Sequence, residues 1–132
     1  MRTITKDVTL TMEDGTKTFR VAKLDAMSGV SLLRLLIRAQ ETKPDLTVLD
    51  FISLLAEEEL HSVMRLVFSH IEVLLPAGPN PLMTEGEWSY PEIRYDMPLC
   101  MRLLLEGISW NLSGFFVGSG RSSPPAKDPA AP

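Results

Sequence analysis

Residues 99–117 read as a helix that is apolar almost all the way round. Arg102, Glu106, Ser109 and Ser113 form one polar row, stepping by four, three and four, with Asn111 off it. The remainder is Leu99, Cys100, Met101, Leu103, Leu104, Leu105, Ile108, Trp110, Leu112, Phe115 and Phe116. A helix with so little polar girth has to be enclosed on several sides. A chain of 132 residues holds one core, since domains cluster near ~100–150 residues. The fold must wrap this helix, or leave part of it for another polypeptide.

Three further helices are predicted. Asp25 is placed to accept from the first-turn N–H groups of a helix running to about Gln40. In that helix Val30, Leu33 and Ile37 make one apolar row, Leu32, Leu35, Leu36 and Ala39 widen it, and Ser31, Arg34 and Arg38 form a narrow polar stripe. After a polar break containing Pro44, either Asp45 or Thr47 caps a short helix carrying Val48, Leu49, Ile52 and Leu55. Glu57, Glu58 and Glu59 then suit the positive end of a third helix. Its row Leu60, Met64, Val67, Ile71 and Leu74 follows steps of four and three. The last helix opens at Asp96 and Pro98, where a missing N–H costs nothing.

At the other end, Ile4, Val8, Leu10 and Met12 alternate with polar residues, and Phe19, Val21 and Leu24 follow Asp14-Gly15, a favoured turn pair. This is a β-hairpin, and because a lone hairpin is marginal in water it must lie on the helices or extend another subunit's sheet. Residues 76–98 contain Pro76, Pro79, Pro81, Pro91 and Pro98 with Gly78 and Gly86, and read as a long loop with no long regular element. The Gly/Ser/Pro-rich stretch 118–132 has no aromatic or β-branched residue to bury and reads as a disordered tail. The expected architecture is mainly α (α+β): a single domain over 1–117, a helical bundle of about four helices with a small N-terminal β-hairpin, followed by the tail.

Catalytic and cofactor chemistry finds no foothold. His61 and His70 are nine apart and sit in no zinc-binding frame. Cys100 has no adjacent base and reads as a small buried hydrophobe. Neither Gly78-Pro79-Asn80 nor Gly118-Ser119-Gly120 has the strand, Lys-Ser/Thr pair and helix of a phosphate loop. The expectation is no enzyme, no metal and no cofactor. One cysteine excludes an internal disulfide. A net charge of −4 speaks against general nucleic-acid binding. With no apolar stretch approaching ~18 residues and no export signal, the reading is cytosolic and not membrane-bound.

Charge is unevenly spread. Residues 1–40 carry seven Lys/Arg against four Asp/Glu, and residues 41–60 carry one against six. Opposite patches permit head-to-tail assembly, or are simply solvated surfaces.

The segment Thr18-Phe19-Arg20-Val21-Ala22-Lys23-Leu24-Asp25-Ala26-Met27-Ser28-Gly29 leads into the leucine-rich helix. It is followed by Leu54-Leu55-Ala56-Glu57-Glu58-Glu59-Leu60 and by Trp110-Asn111-Leu112-Ser113-Gly114-Phe115-Phe116. In this order the parts resemble a tail assembly chaperone of long-tailed bacteriophages or prophages, over roughly residues 17–117. Trp110 directly before Asn111, and the proline-rich loop, match no fixed pattern of that family.

The resemblance implies a helical, non-catalytic protein of the host bacterial cytoplasm, absent from the mature virion. Its partner would be the tape measure protein, kept soluble while tail tube subunits polymerise around it. A longer frameshifted form of the chain is also implied, and homo-oligomers are expected. A chaperone of this kind would cover an apolar stripe in the helix-in-groove manner. The candidate contact residues are Leu103, Trp110, Phe115 and Phe116 on the last helix and Trp88 and Tyr90 in the loop; bulky residues at helical spacing are also ordinary core. The competing readings are a structural tail component, such as a terminator or connector subunit, and a small nucleic-acid-binding regulator.

Overall fold

The computed structural model describes residues 4–12 and 15–113. The stretch 118–132 expected as a tail, Phe115, Phe116, Glu13 and Asp14 lie outside the described residues. Strand β1 (Thr5–Met12) pairs antiparallel with β2 (Gly15–Ala22). Helices α1 (Ala26–Thr42), α2 (Val48–Leu54) and α3 (Glu57–Phe68) follow. Then come strands β3 (Ile71–Leu75) and β4 (Gly78–Pro81), a small ladder of β5 (Met83–Thr84) with β6 (Glu87–Trp88), a 3₁₀ turn at Pro91–Ile93, and α4 (Met97–Leu112).

Local chemistry sets the helix starts. The Asp25 carboxylate accepts from the Ser28 N–H at 2.8 Å, and the Asp96 carboxylate accepts from the Leu99 N–H at 3.1 Å. Thr47, not Asp45, caps α2: its hydroxyl accepts from the Asp50 N–H while Asp50 reaches back to the Thr47 N–H, both at 3.1 Å. Two orphan donors are thereby satisfied reciprocally. Gly15 sits opposite Met12 at φ +127°, a conformation that favours glycine.

The expected helical bundle with one small hairpin is wrong. Helix takes 51% of the described residues and strand 27%, and β1-β2-β3-β4 form one antiparallel four-stranded sheet. The error lies at residues 69–81. The row Leu60, Met64, Val67, Ile71, Leu74 was expected to continue α3, yet α3 stops at Phe68 and Ile71 begins a strand. Ile71 and Leu74 fit a helical period, but Ile71, Val73 and Leu75 also alternate, and that set faces the core. The β-branched Ile71 and Val73 favour the strand. β4 then forms within the proline-rich stretch, its Pro79 and Pro81 tolerated because β4 is an edge of the sheet.

One face of the sheet carries the helices. Val8, Phe19, Val21, Ile71 and Val73 are buried there with Leu103, Leu104 and Ile108 of α4, Leu32 and Leu36 of α1, and Phe51 and Phe68. The other face is open, and on it Arg20 Nε donates to Asp7 at 2.9 Å, with Glu72 opposite Arg20 across β2 and β3. No polar or charged residue among those described is buried. α4 packs closely on α3 at Gly107, where a Cβ would overlap Val67 Cγ1.

Candidate partner-binding surface

Of the residues expected to make contact from α4, Leu103 and Trp110 are among those described. Leu103 is fully enclosed, and Tyr90 is buried with its hydroxyl donating to Glu92 at 3.0 Å. Both side chains belong to the buried core cluster, Leu103 from α4 and Tyr90 from the residue before the 3₁₀ turn. Trp88 is half-buried, its ring 5.9 Å from that of Phe68.

Trp110 is half-buried under two lysines, with Lys23 Nζ 4.5 Å and Lys6 Nζ 5.7 Å from its ring centroid. Lys23 Nζ also donates to the Trp110 carbonyl at 2.8 Å, and Asn111 Oδ1 accepts from the Leu24 N–H at 2.7 Å. The Trp110-Asn111 pair therefore latches the end of α4 to the chain between β2 and α1. Trp88 and Trp110 are both partly buried against the cluster that contains Leu103 and Tyr90.

Among the described residues, exposed large hydrophobics occur at Ile4, on α2 at Leu49 and Leu54, and at Tyr95 and Met97, and three share one face of α1. Its inward row is Leu32, Leu36 and Ala39. On the opposite side Met27 is 83% exposed, Val30 53% and Ile37 49%. At about 100° per residue these three fall within roughly 80° of arc, facing away from the core. Val30 and Ile37 were grouped in an apolar row that the sequence could equally have turned inward. The signal for an exposed stripe was there, in apolar residues on both sides of one helix, but periodicity does not say which side meets the sheet.

Beside this stripe runs a groove of about 610 Å³ between α1 and α3, lined by Ser31, Arg34, Leu35, Ile37, Arg38 and Glu41 of α1 and by Glu59 and Ser62 of α3. Arg38 closes its floor: its two terminal nitrogens each donate to a Glu59 carboxylate oxygen at 2.6 Å. Such a two-pronged pair fixes geometry as well as charge. Glu59 also accepts from the Ala56 N–H at 2.9 Å. The Arg38 guanidinium, then the Ala56 N–H, hold the Glu59 carboxyl down at about 2 against an ordinary 4.5. Lys43 likewise donates to Asp50 at 2.9 Å. Arg38–Glu59 joins the basic segment 1–40 to the acidic segment 41–60 within one molecule, whereas Lys43–Asp50 lies inside the acidic one.

A pH dependence follows from Glu59. Its folded value lies below its unfolded one, so its contribution is complete above about 4.5 and is lost as pH falls from there through about 2. The midpoint of thermal unfolding should fall more steeply over that window in the native chain than in Glu59→Gln. Parallel curves would show that the pair adds nothing to stability.

Cys100 is buried with Sγ donating to the Ile93 carbonyl at 3.2 Å, and burial, helped by the Asp96 charge, pushes the thiol up to about 11. Iodoacetamide should accordingly label it at neutral pH only as fast as the chain unfolds. Rapid labelling of folded protein would contradict this burial. Among the described residues no three His, Cys, Asp or Glu side chains group to hold a metal ion, and no helix is long and apolar enough to cross a membrane. His61 lies 4.0 Å from Glu57 on the open surface of α3, and His70 Nδ1 is 2.9 Å from the Leu66 carbonyl.

Comparison with protein-family models, curated proteins and solved structures gives no match.

Proposed function

We propose that this chain is a non-catalytic tail assembly chaperone of phage type, which covers an apolar helical stripe of the tape measure protein in the host bacterial cytoplasm and keeps it soluble during tail tube assembly. The sequence resemblance supplies the family. One structural observation supports the binding mode: Met27, Val30 and Ile37 are left uncovered along a groove-flanked helix. Several exposed apolar side chains gathered on one face are the usual mark of a partner site, and α1 offers the ridge against which a second helix can pack. The binding surface accordingly moves from α4, where the sequence put it, to α1.

The test is co-expression with the tape measure protein of the same genome. Replacing Met27, Val30 and Ile37 together by Ser should sharply reduce the soluble yield of that protein while the variant itself stays folded. An unchanged soluble yield with a folded variant would remove the reading.

A second reading, a structural tail component, draws on the sheet edges. β4 is blocked by Pro79 and Pro81, whereas the eight-residue β1 has no proline and, among the described residues, is an outer strand suited to strand addition. A structural component would be found in purified particles, and a chaperone would not.

A further inference from the structure

Resting on the helix-covering reading above, we infer that α1 selects its partner by charge: the ligand is an amphipathic helix of another chain that presents a carboxylate to Arg34 between its apolar contacts. Of the four charges on the groove, Arg38 and Glu59 neutralise one another at 2.6 Å. Arg34 and Glu41 make no ion pair or hydrogen bond among the described residues. They lie seven positions apart on the same side of α1, about 10 Å along its axis, too far to pair with each other. The solvent-facing seam therefore reads Met27, Val30, Arg34, Ile37, Glu41, with a free cation set between apolar side chains. A helix with a hydrophobic residue opposite Arg34 would strip water from the guanidinium without replacing it, and one with a cation there would be repelled. A carboxylate satisfies it.

A second copy of the same helix fits this pattern poorly. Laid parallel, it sets Arg34 on Arg34. Laid antiparallel with Arg34 against the copy's Glu41, it runs Val30 and Met27 past Thr42, where the copy's helix ends. The seam is complementary to a longer, foreign helix.

The experiment uses two labelled synthetic amphipathic peptides of about 20 residues, long enough to form helix. They share one leucine seam and differ only in its central residue, Glu or Lys. Fluorescence anisotropy at low salt should show the Glu peptide binding the native chain about fivefold more tightly than the Lys peptide, as an exposed ion pair permits. The preference should shrink at high salt and reverse in Arg34→Glu, whose fold is checked by circular dichroism.

Equal binding of the two peptides would overturn charge selection and leave the helix-covering reading standing. If neither peptide binds, or if both still bind the Met27→Ser, Val30→Ser, Ile37→Ser variant, the helix-covering reading falls and takes this inference with it. Sedimentation showing a dimer that Ile37→Ser dissolves would give the face to a second copy and also overturn the inference.

Discussion

Leu103→Ala should lower the stability of the chain by about 2 to 5 kcal/mol, the range for truncating a buried leucine whose cavity cannot collapse. Leu103 has no exposed surface, and it sits in the one cluster that joins α4 to the inner face of the sheet. By contrast, replacing Met27, Val30 and Ile37 together by Ser should change stability by no more than about 1 kcal/mol, because surface substitutions remove little packing. Urea unfolding measures both. The comparison separates core from contact: partner solubilisation should be lost in the α1 variant while its unfolding midpoint hardly moves. A Leu103→Ala protein as stable as the native chain would show that α4 is not the centre of the fold.

The second large effect is at Gly107. In an isolated helix, alanine in place of glycine stabilises by about 1 kcal/mol, since it restricts the unfolded chain and shields the backbone. Here the added Cβ would overlap Val67 Cγ1, with Val67 buried on α3 and Ile71 close behind. Both neighbours are stiff, β-branched and enclosed, so relief requires α3 and α4 to move apart. Overpacking of that kind costs typically about 1 to 3 kcal/mol and should outweigh the helix gain. Gly107→Ala should be net destabilising. Combined with Val67→Ala, which vacates the contested space, it should lose less than the sum of the two single changes. Strictly additive losses would mean that the two helices do not meet at this point.

Much of the local architecture was legible. The caps at Asp25, Thr47 and Asp96 depend on a side-chain oxygen three residues from an orphan N–H, and that spacing is written in the chain. The hairpin was legible from its alternation and from Gly15. The sheet was not. Ile71 and Leu74 satisfied a helical period while Ile71, Val73 and Leu75 satisfied a strand period, so a short apolar stretch carried both patterns at once. What separated them was the availability of β2 as a partner: Phe19 pairs with Val73 and Val21 with Ile71, matches 54 and 50 residues apart that no local window contains.

The burial of the expected contact residues was illegible for a related reason. Trp110, Leu103 and Tyr90 are bulky, and bulk alone does not distinguish a side chain that fills a core from one that seeks a partner. Lys6 and Lys23 cover Trp110, and Lys23 reaches it from the end of β2, far away in sequence. No pattern within 99–112 announces that cover.

By itself, the sequence determined where α1 and α4 begin, that Gly15 belongs to the hairpin turn, and that α4 needs enclosure, because each of these is settled by chemistry within a few residues. Only the tertiary structure decided that residues 71–81 join a four-stranded sheet, that α4 is enclosed by its own fold, and that Met27, Val30 and Ile37 face outward. A helix with two apolar sides can bury either. The core takes one, and here Leu32, Leu36 and Ala39 face it.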